Sequence, residues 1–240
     1  MTVDIRRAAD RLHTETEWLD ARHCFSFGSH YDPDNTHFGL LLVSNDDTVS
    51  PGAGFDTHPH RDMEIITWVL CGALSHNDSA GNAGVIYPGL AQRMSAGSGV
   101  LHSERNAGDE PARFVQMWVP PDEPGLAPGY EQLDVGAEVG GGGLVLVASG
   151  MAKHSDTAAI GINQRHAALH VARLPAGGES SIPPAPFVHL FVADGQVELE
   201  AHGELRAGDA ARITAADGQR VVAGDGGAEV LVWEMHAPMS

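Results

Sequence analysis

An all-β fold made of two tandem copies of one unit is what this chain of 240 residues predicts, and three observations lead there. Short apolar runs punctuated by glycine and proline dominate the sequence, a gapless internal match relates its two halves, and a breaker-rich stretch divides them. The runs lie at residues 38–44, 65–70, 114–119, 144–148, 189–193 and 230–234, with 29 Gly and 14 Pro supplying the turns. Many short strands of this kind build a sandwich or a barrel. Residues 76–82, HNDSAGN, read as a turn that folds 65–70 and 84–87 back on each other. Helical turns are expected only at 6–12 and 156–161. Residues 120–143, containing PPDEPGLAPGY and GGGG, are too rich in breakers for regular structure. The expected domains are therefore 1–133 and 134–240.

The internal match needs no gap. Residues 88–104 (PGLAQRMSAGSGVLHSE) laid over 207–223 (AGDAARITAADGQRVVA) set Gly89 on Gly208, Arg93 on Arg212 and Gly99 on Gly218. Residues 67–74 (TWVLCGAL) over 190–197 (LFVADGQV) set Gly72 on Gly195. Turn glycines are kept, so the halves are expected to share a shape.

Composition excludes several classes of function. Lys and Arg number 14 against 32 Asp and Glu, a formal charge of -18, which repels phosphate backbones and anionic lipid heads. No direct nucleic-acid partner and no membrane association are expected. The first twenty residues, MTVDIRRAADRLHTETEWLD, lack the apolar run of a secretory signal. Two cysteines, Cys24 and Cys71, lie outside any CxxC pair. A reduced, cytoplasmic protein with both thiols free and buried is the expectation.

Residues 52–106 carry the chemistry. His58-Pro59-His60, with Glu64 four residues on, opens the stretch, and His102-Ser103-Glu104 closes it. Strand side chains alternate faces, so His58 sides with His60 and His102 with Glu104, while Ser103 points away. A back-folded sheet can bring the two pairs together. An isolated HxH in a β protein is usually ordinary strand polarity, but the second half speaks against that here. Under the internal match His58, His60 and Glu64 fall on Ser181, Pro183 and Phe187, and His102 and Glu104 on Val221 and Ala223. The second copy keeps the turns and loses every metal-type side chain. His13, His37, His154 and His202 are read as solvated or structural, and His23 and His30 are left open. Gly97-Ser98-Gly99 lacks the third glycine of a dinucleotide fingerprint. A phosphosugar isomerase would need a basic cluster at the metal, for which Arg61, Arg93 and Arg105 are the candidates, read as a solvated face.

Four motifs, in order, resemble those of the pirins, members of the cupin superfamily, and specifically the bacterial pirin-like proteins tested as quercetin 2,3-dioxygenases. They are WLDARHCFSFGSHYDPD (18–34), THPHRDMEIITWVLCGALSHNDSAGN (57–82), MSAGSGVLHSE (94–104) and PGYEQ (128–132). Cys71 departs from the usual Glu before the glycine, and Gly97 from the proline of the general cupin motif. The resemblance implies an all-β bicupin of two tandem jelly-roll β-barrels, with the metal in the first. It implies His58, His60, His102 and Glu104 as ligands of one divalent transition metal, Fe(II), with Glu64 in the slot where other cupins place a metal-binding glutamate.

That donor set suits Fe(II), Mn, Ni, Co or Zn and leaves up to two octahedral positions open, unlike a closed structural zinc site. The resemblance further implies a flavonol-cleaving dioxygenase acting on a small aromatic or enolic substrate with O2, in which Glu104 is both ligand and catalytic base. Its alternative is a redox-responsive regulator that binds a protein partner without turnover, as animal pirins are thought to do. A monomer is expected, since two fused barrels can cover each other's sheet.

Overall fold

The apolar runs become strands in three sheets in the computed structural model, which describes residues 1–239. The chain is all-β, a bicupin of two tandem jelly-roll barrels. In the first barrel a seven-stranded antiparallel sheet runs in the order Gly129–Asp134, Leu90–Ser95, Glu64–Cys71, Ala112–Val119, Val43–Val49, Leu19–His23, Leu12–Glu15. A four-stranded sheet, Gly54–His60, Val100–Arg105, Leu74–Asp78 and Ala83–Ile86, covers it. Between the two sheets pack Val49, Val69 and Phe114 from one and Leu74 and Ile86 from the other.

The second barrel is a nine-stranded sheet dominated by Ala185–Leu199 and Arg220–Met235, which pair along nearly their whole length. These strands turn the barrel's corner at Gly195, where the register shifts. Gly195 has φ +73°, and a Cβ there would sit 2.9 Å from Ala228 Cα. Gly72, its counterpart in the first half, has φ +71° and the same tight approach, 2.8 Å to Ala112 Cα. Only glycine tolerates that conformation and that contact. The sequence repeat is thus a repeat of corners.

The second copy's lost histidines have a physical counterpart. Val221 and Ala223, which stand where His102 and Glu104 do, are buried with Val188, Leu190, Leu205 and Ile213 in a continuous apolar core. A separate core joins the halves: Ile66, Trp68, Val115 and Met117 interdigitate with Leu169, Val171, Leu231 and Trp233.

Several expectations are corrected. Residues 120–143 do hold regular structure, the strand Gly129–Asp134 and a helical turn Gly136–Val139. Pairing with Leu90–Ser95 and burial of Val139 outweigh the breakers around them. The strand expected at 38–44 begins at Val43, because Phe38 and Leu41 close a tight bridge first. Near residues 156–161 the helical turn falls earlier, at Ala152–His154, and Ile160–Gly161 instead pairs parallel with Val145–Ser149. At 6–12 a short turn does form, Ala8–Asp10, tied down by the Ala8 N–H donating to Asp209 Oδ1 at 2.7 Å. Cys24 is buried, but Cys71 is exposed because its strand ends at the Gly72 corner. The strand Thr2–Arg6 crosses over to pair with Ala210–Ala216 of the second barrel. No helix among the described residues is long and apolar enough to cross a membrane.

Candidate metal centre

Antiparallel register assembles the centre. Val100–Arg105 runs between Gly54–His60 and Leu74–Asp78, setting His102 opposite His58 on one side and Asp78 on the other, with Glu104 opposite His76. A register shift between His102 and Glu104 adjusts the aim of the carboxylate. Ring centroids of His58 and His102 are 4.5 Å apart, those of His58 and His60 4.8 Å, and those of His60 and His102 4.9 Å. One donor nitrogen from each of these three histidines lies within 4.8 Å of the others.

The donor geometry fits a transition metal. His58 Nε2 and His102 Nε2 stand 3.1 Å apart. Two nitrogens bound at about 2.1 Å and at right angles would be about 3.0 Å apart. His60 Nε2 is buried without a hydrogen-bond partner among the described residues, an arrangement that a bound cation would satisfy.

Burial, and then the neighbouring imidazoles, lower the His102 pKa to about 3 and the His60 pKa to about 4. Both rings therefore stay neutral with lone pairs free at physiological pH. Folded-state pKa values below the unfolded value near 6.5 mean that the unfolded chain binds more protons. Their contribution to stability is complete above pH 6.5 and is lost as pH falls toward 3. The metal-free protein is therefore expected to melt at progressively lower temperature from pH 6.5 to 4 in a thermal scan, and a flat profile would contradict this.

Glu104 is 3% exposed. Gln116 Nε2 donates to its Oε2 at 2.8 Å and Thr67 Oγ1 to its Oε1 at 3.4 Å. Burial raises its pKa, and the Gln116 hydrogen bond works against that rise. Glu104 groups within metal-ligand reach of His102 and His76, a second cluster sharing His102 with the first. His76 was hidden in the stretch read as a turn. Leu74–Asp78 is strand, and the turn occupies only the residues after it. The alternation of His76 with Asp78, facing alternate positions of the HSE motif, is the signal that would have found it.

Glu64 lies outside both clusters. Its carboxylate, 1% exposed, accepts from Ser95 Oγ at 2.7 Å, Asn163 N at 3.0 Å and Asn163 Nδ2 at 3.1 Å, joining the two barrels. His23 and His30 share Thr14 Oγ1, at 3.0 and 3.1 Å, and His23 stacks on Phe27. Arg61, Arg93 and Arg105 pair with Asp62, Glu131 and Asp56, and none of the three lines the cavity beside the histidines.

A cavity of about 440 Å³ opens beside the histidines, reaching His58, His60 and Glu104. Trp18, Phe27, Phe55 and Trp118 form its aromatic wall, with Asn45, Asp47 and Gln116 as polar groups. Trp118 stacks edge-on to His60 at 4.9 Å and donates its indole N–H to Gln116 Oε1 at 3.1 Å, so the wall and the Glu104 carboxylate are held by one chain of contacts. The site therefore offers neutral nitrogen donors, a buried carboxylate and a cavity walled by aromatic rings.

Comparison with known proteins points the same way. Residues 4–119 match the Pirin family model and residues 146–235 that of the quercetinase C-terminal cupin domain. A Mycobacterium tuberculosis protein provisionally named a quercetin 2,3-dioxygenase is 59% identical over 239 residues, 99% of this chain and 97% of that one. The Escherichia coli quercetin 2,3-dioxygenase is 47% identical over 131 residues, covering 54% of this chain and 57% of that protein. The crystal structure of the bacterial pirin YhhW from Escherichia coli in complex with nickel(II) superposes with a TM-score of 0.87 at 34% identity, covering 99% of this chain and 100% of that one. A quercetin 2,3-dioxygenase structure from Acinetobacter baumannii, at 17% identity and TM-score 0.74 over 98% of this chain and 79% of that one, shares the fold. By sequence and by architecture, the chain belongs to the pirin family.

Proposed function

We propose that this pirin is a dioxygenase that cleaves flavonols such as quercetin with O2, using one divalent transition metal held by His58, His60, His102 and Glu104. The observation that carries this reading is the meeting of three imidazoles, 3.1 Å apart at the nearest pair, at the edge of an aromatic-walled cavity that also reaches a buried carboxylate. The metal is proposed to be Fe(II), within residues 1–133, and residues 134–240 to form a barrel without one. Nickel(II) in the related YhhW supports a single transition-metal position. When bound, the metal supplies Lewis acidity toward a substrate oxygen and reactivity toward O2.

The chain's own groups do the rest. The aromatic wall holds a flat ring system and excludes water. Glu104, its proton affinity raised by burial, takes the proton of the flavonol hydroxyl at its carboxylate, leaving the substrate as its anion. Gln116 keeps that carboxylate fixed while it changes charge. His58 Nδ1 faces the Asp56 carbonyl at 2.7 Å, which leaves Nε2 as the donor toward the centre.

The test is oxygen uptake by the iron-loaded protein over a panel of flavonols, with quercetin spectra recorded under nitrogen. Uptake and a shifted quercetin band are expected. A shifted band without uptake would favour the metal-bearing regulator instead, and an unshifted band would remove direct binding at the metal.

A further inference from the structure

Asp46 and Asp47 are neighbours on Val43–Val49, yet their surroundings are opposite. Strand alternation turns Asp46 away from the cavity, where Arg113 reaches both its oxygens at 2.9 Å and Arg11 adds a contact at 3.2 Å. Asp47 turns toward the cavity that reaches the candidate metal centre. It is 5% exposed, and its Oδ1 is buried with no hydrogen-bond partner among the described residues. Leaving such a group unpartnered destabilises a fold, so its retention needs a reason. Burial, followed by repulsion from Asp46 and Glu104, raises its pKa well above the ordinary carboxylate range.

Its position defines what it would meet. Asn45 lies opposite Gln116, the residue that holds Glu104, and Asp47 is two residues further along the same strand face. Two residues of strand span about 7 Å. A planar ligand with one hydroxyl at Glu104 would thus present its far ring to Asp47, between aromatic walls whose remaining carboxyl among the described residues is Asp56 at the rim.

We infer that Asp47 is a specificity-determining residue that hydrogen-bonds a second, remote hydroxyl of the substrate, restricting the site to polyhydroxylated aromatics. This rests on reading the cavity as the substrate site of the proposed dioxygenase. A hydroxyl fills the vacant partnership of a buried carboxyl, whereas an unsubstituted ring leaves it unmade. Discrimination by such groups is steep because the penalty falls on the analogue that lacks the hydroxyl.

The test uses iron-loaded protein under nitrogen and the quenching of Trp18 and Trp118, which line the cavity, to measure dissociation constants for quercetin and for 3-hydroxyflavone. Wild type is expected to favour quercetin by at least about tenfold. In Asp47→Leu the ratio of the two constants should fall toward one, and Asp47→Asn should keep part of it. Quercetin O-methyl ethers on wild type give the same answer without a variant: capping one remote hydroxyl should abolish the preference. Equal affinities in wild type, or an undiminished ratio in Asp47→Leu, would overturn the assignment. Oxygen uptake separates the two readings. Selective binding without uptake removes the dioxygenase and keeps Asp47, while uptake without selectivity does the reverse.

Discussion

His102→Ala is expected to empty the metal centre, taking metal content from about one ion per chain to less than about a tenth and flavonol-dependent oxygen uptake down by more than about 100-fold. The expectation follows from its place at the middle of the cluster. His102 Nε2 stands 3.1 Å from His58 Nε2 and its Nδ1 3.5 Å from His76 Nδ1, so both candidate clusters lose a member at once. Two imidazoles and a carboxylate remain, and the alanine leaves the strand pairing of Val100–Arg105 untouched. Elemental analysis of protein purified without added metal provides the measurement. His76→Ala makes the informative partner, since a residue outside the ligand set but supporting it should weaken metal affinity by about 10–100-fold without abolishing it. His23→Ala, outside both clusters, should retain metal. Full occupancy in His102→Ala would sink the proposed centre.

Trp68→Ala is expected to destabilise the whole molecule by about 3–5 kcal/mol. Trp68 is fully buried in the core that joins the barrels, its indole N–H donates to Glu229 Oε1 at 2.6 Å, and Arg173 lies over its ring at 6.0 Å. Truncation leaves a cavity and takes a donor from Glu229, which keeps Arg173 at 2.7 Å. Because the core takes side chains from both halves, unfolding should remain a single transition shifted as a unit. Denaturant melts followed by tryptophan fluorescence and by far-ultraviolet circular dichroism would show it. Two transitions, with only one displaced, would mean that the barrels unfold independently.

Much of this was legible in the chain because it is written in local periodicity. Two-residue spacing sets His58 beside His60 and His102 beside Glu104, and matching glycines such as Gly72 and Gly195 mark corners that admit nothing else. What stayed hidden depends on partners distant in sequence. Glu64 has the spacing of a ligand, but Asn163, supplied by the other barrel, occupies its carboxylate. His76 sits in a segment whose Asn, Asp, Ser and Gly read as turn, and pairing with Val100–Arg105 extends the strand through it. Gly129–Asp134 is surrounded by breakers and becomes a strand because Leu90–Ser95 offers it an edge. Asp46 and Asp47 are adjacent, and nothing local in the sequence tells them apart. Only the fold shows that one is neutralised by guanidiniums and the other faces a cavity.

The crossing of Thr2–Arg6 to the far barrel has a consequence for how the two halves can be separated. That strand covers the edge of Ala210–Ala216, and its Val3 and Ile5 pack on the second barrel's core. A fragment comprising the second barrel without these residues would present a bare row of backbone donors and acceptors, the surface on which like strands stack into aggregates. The molecule is clasped by its own leading end, so a cut between the barrels also unfastens the clasp, and a synthetic peptide of the opening strand is the natural reagent for closing it again.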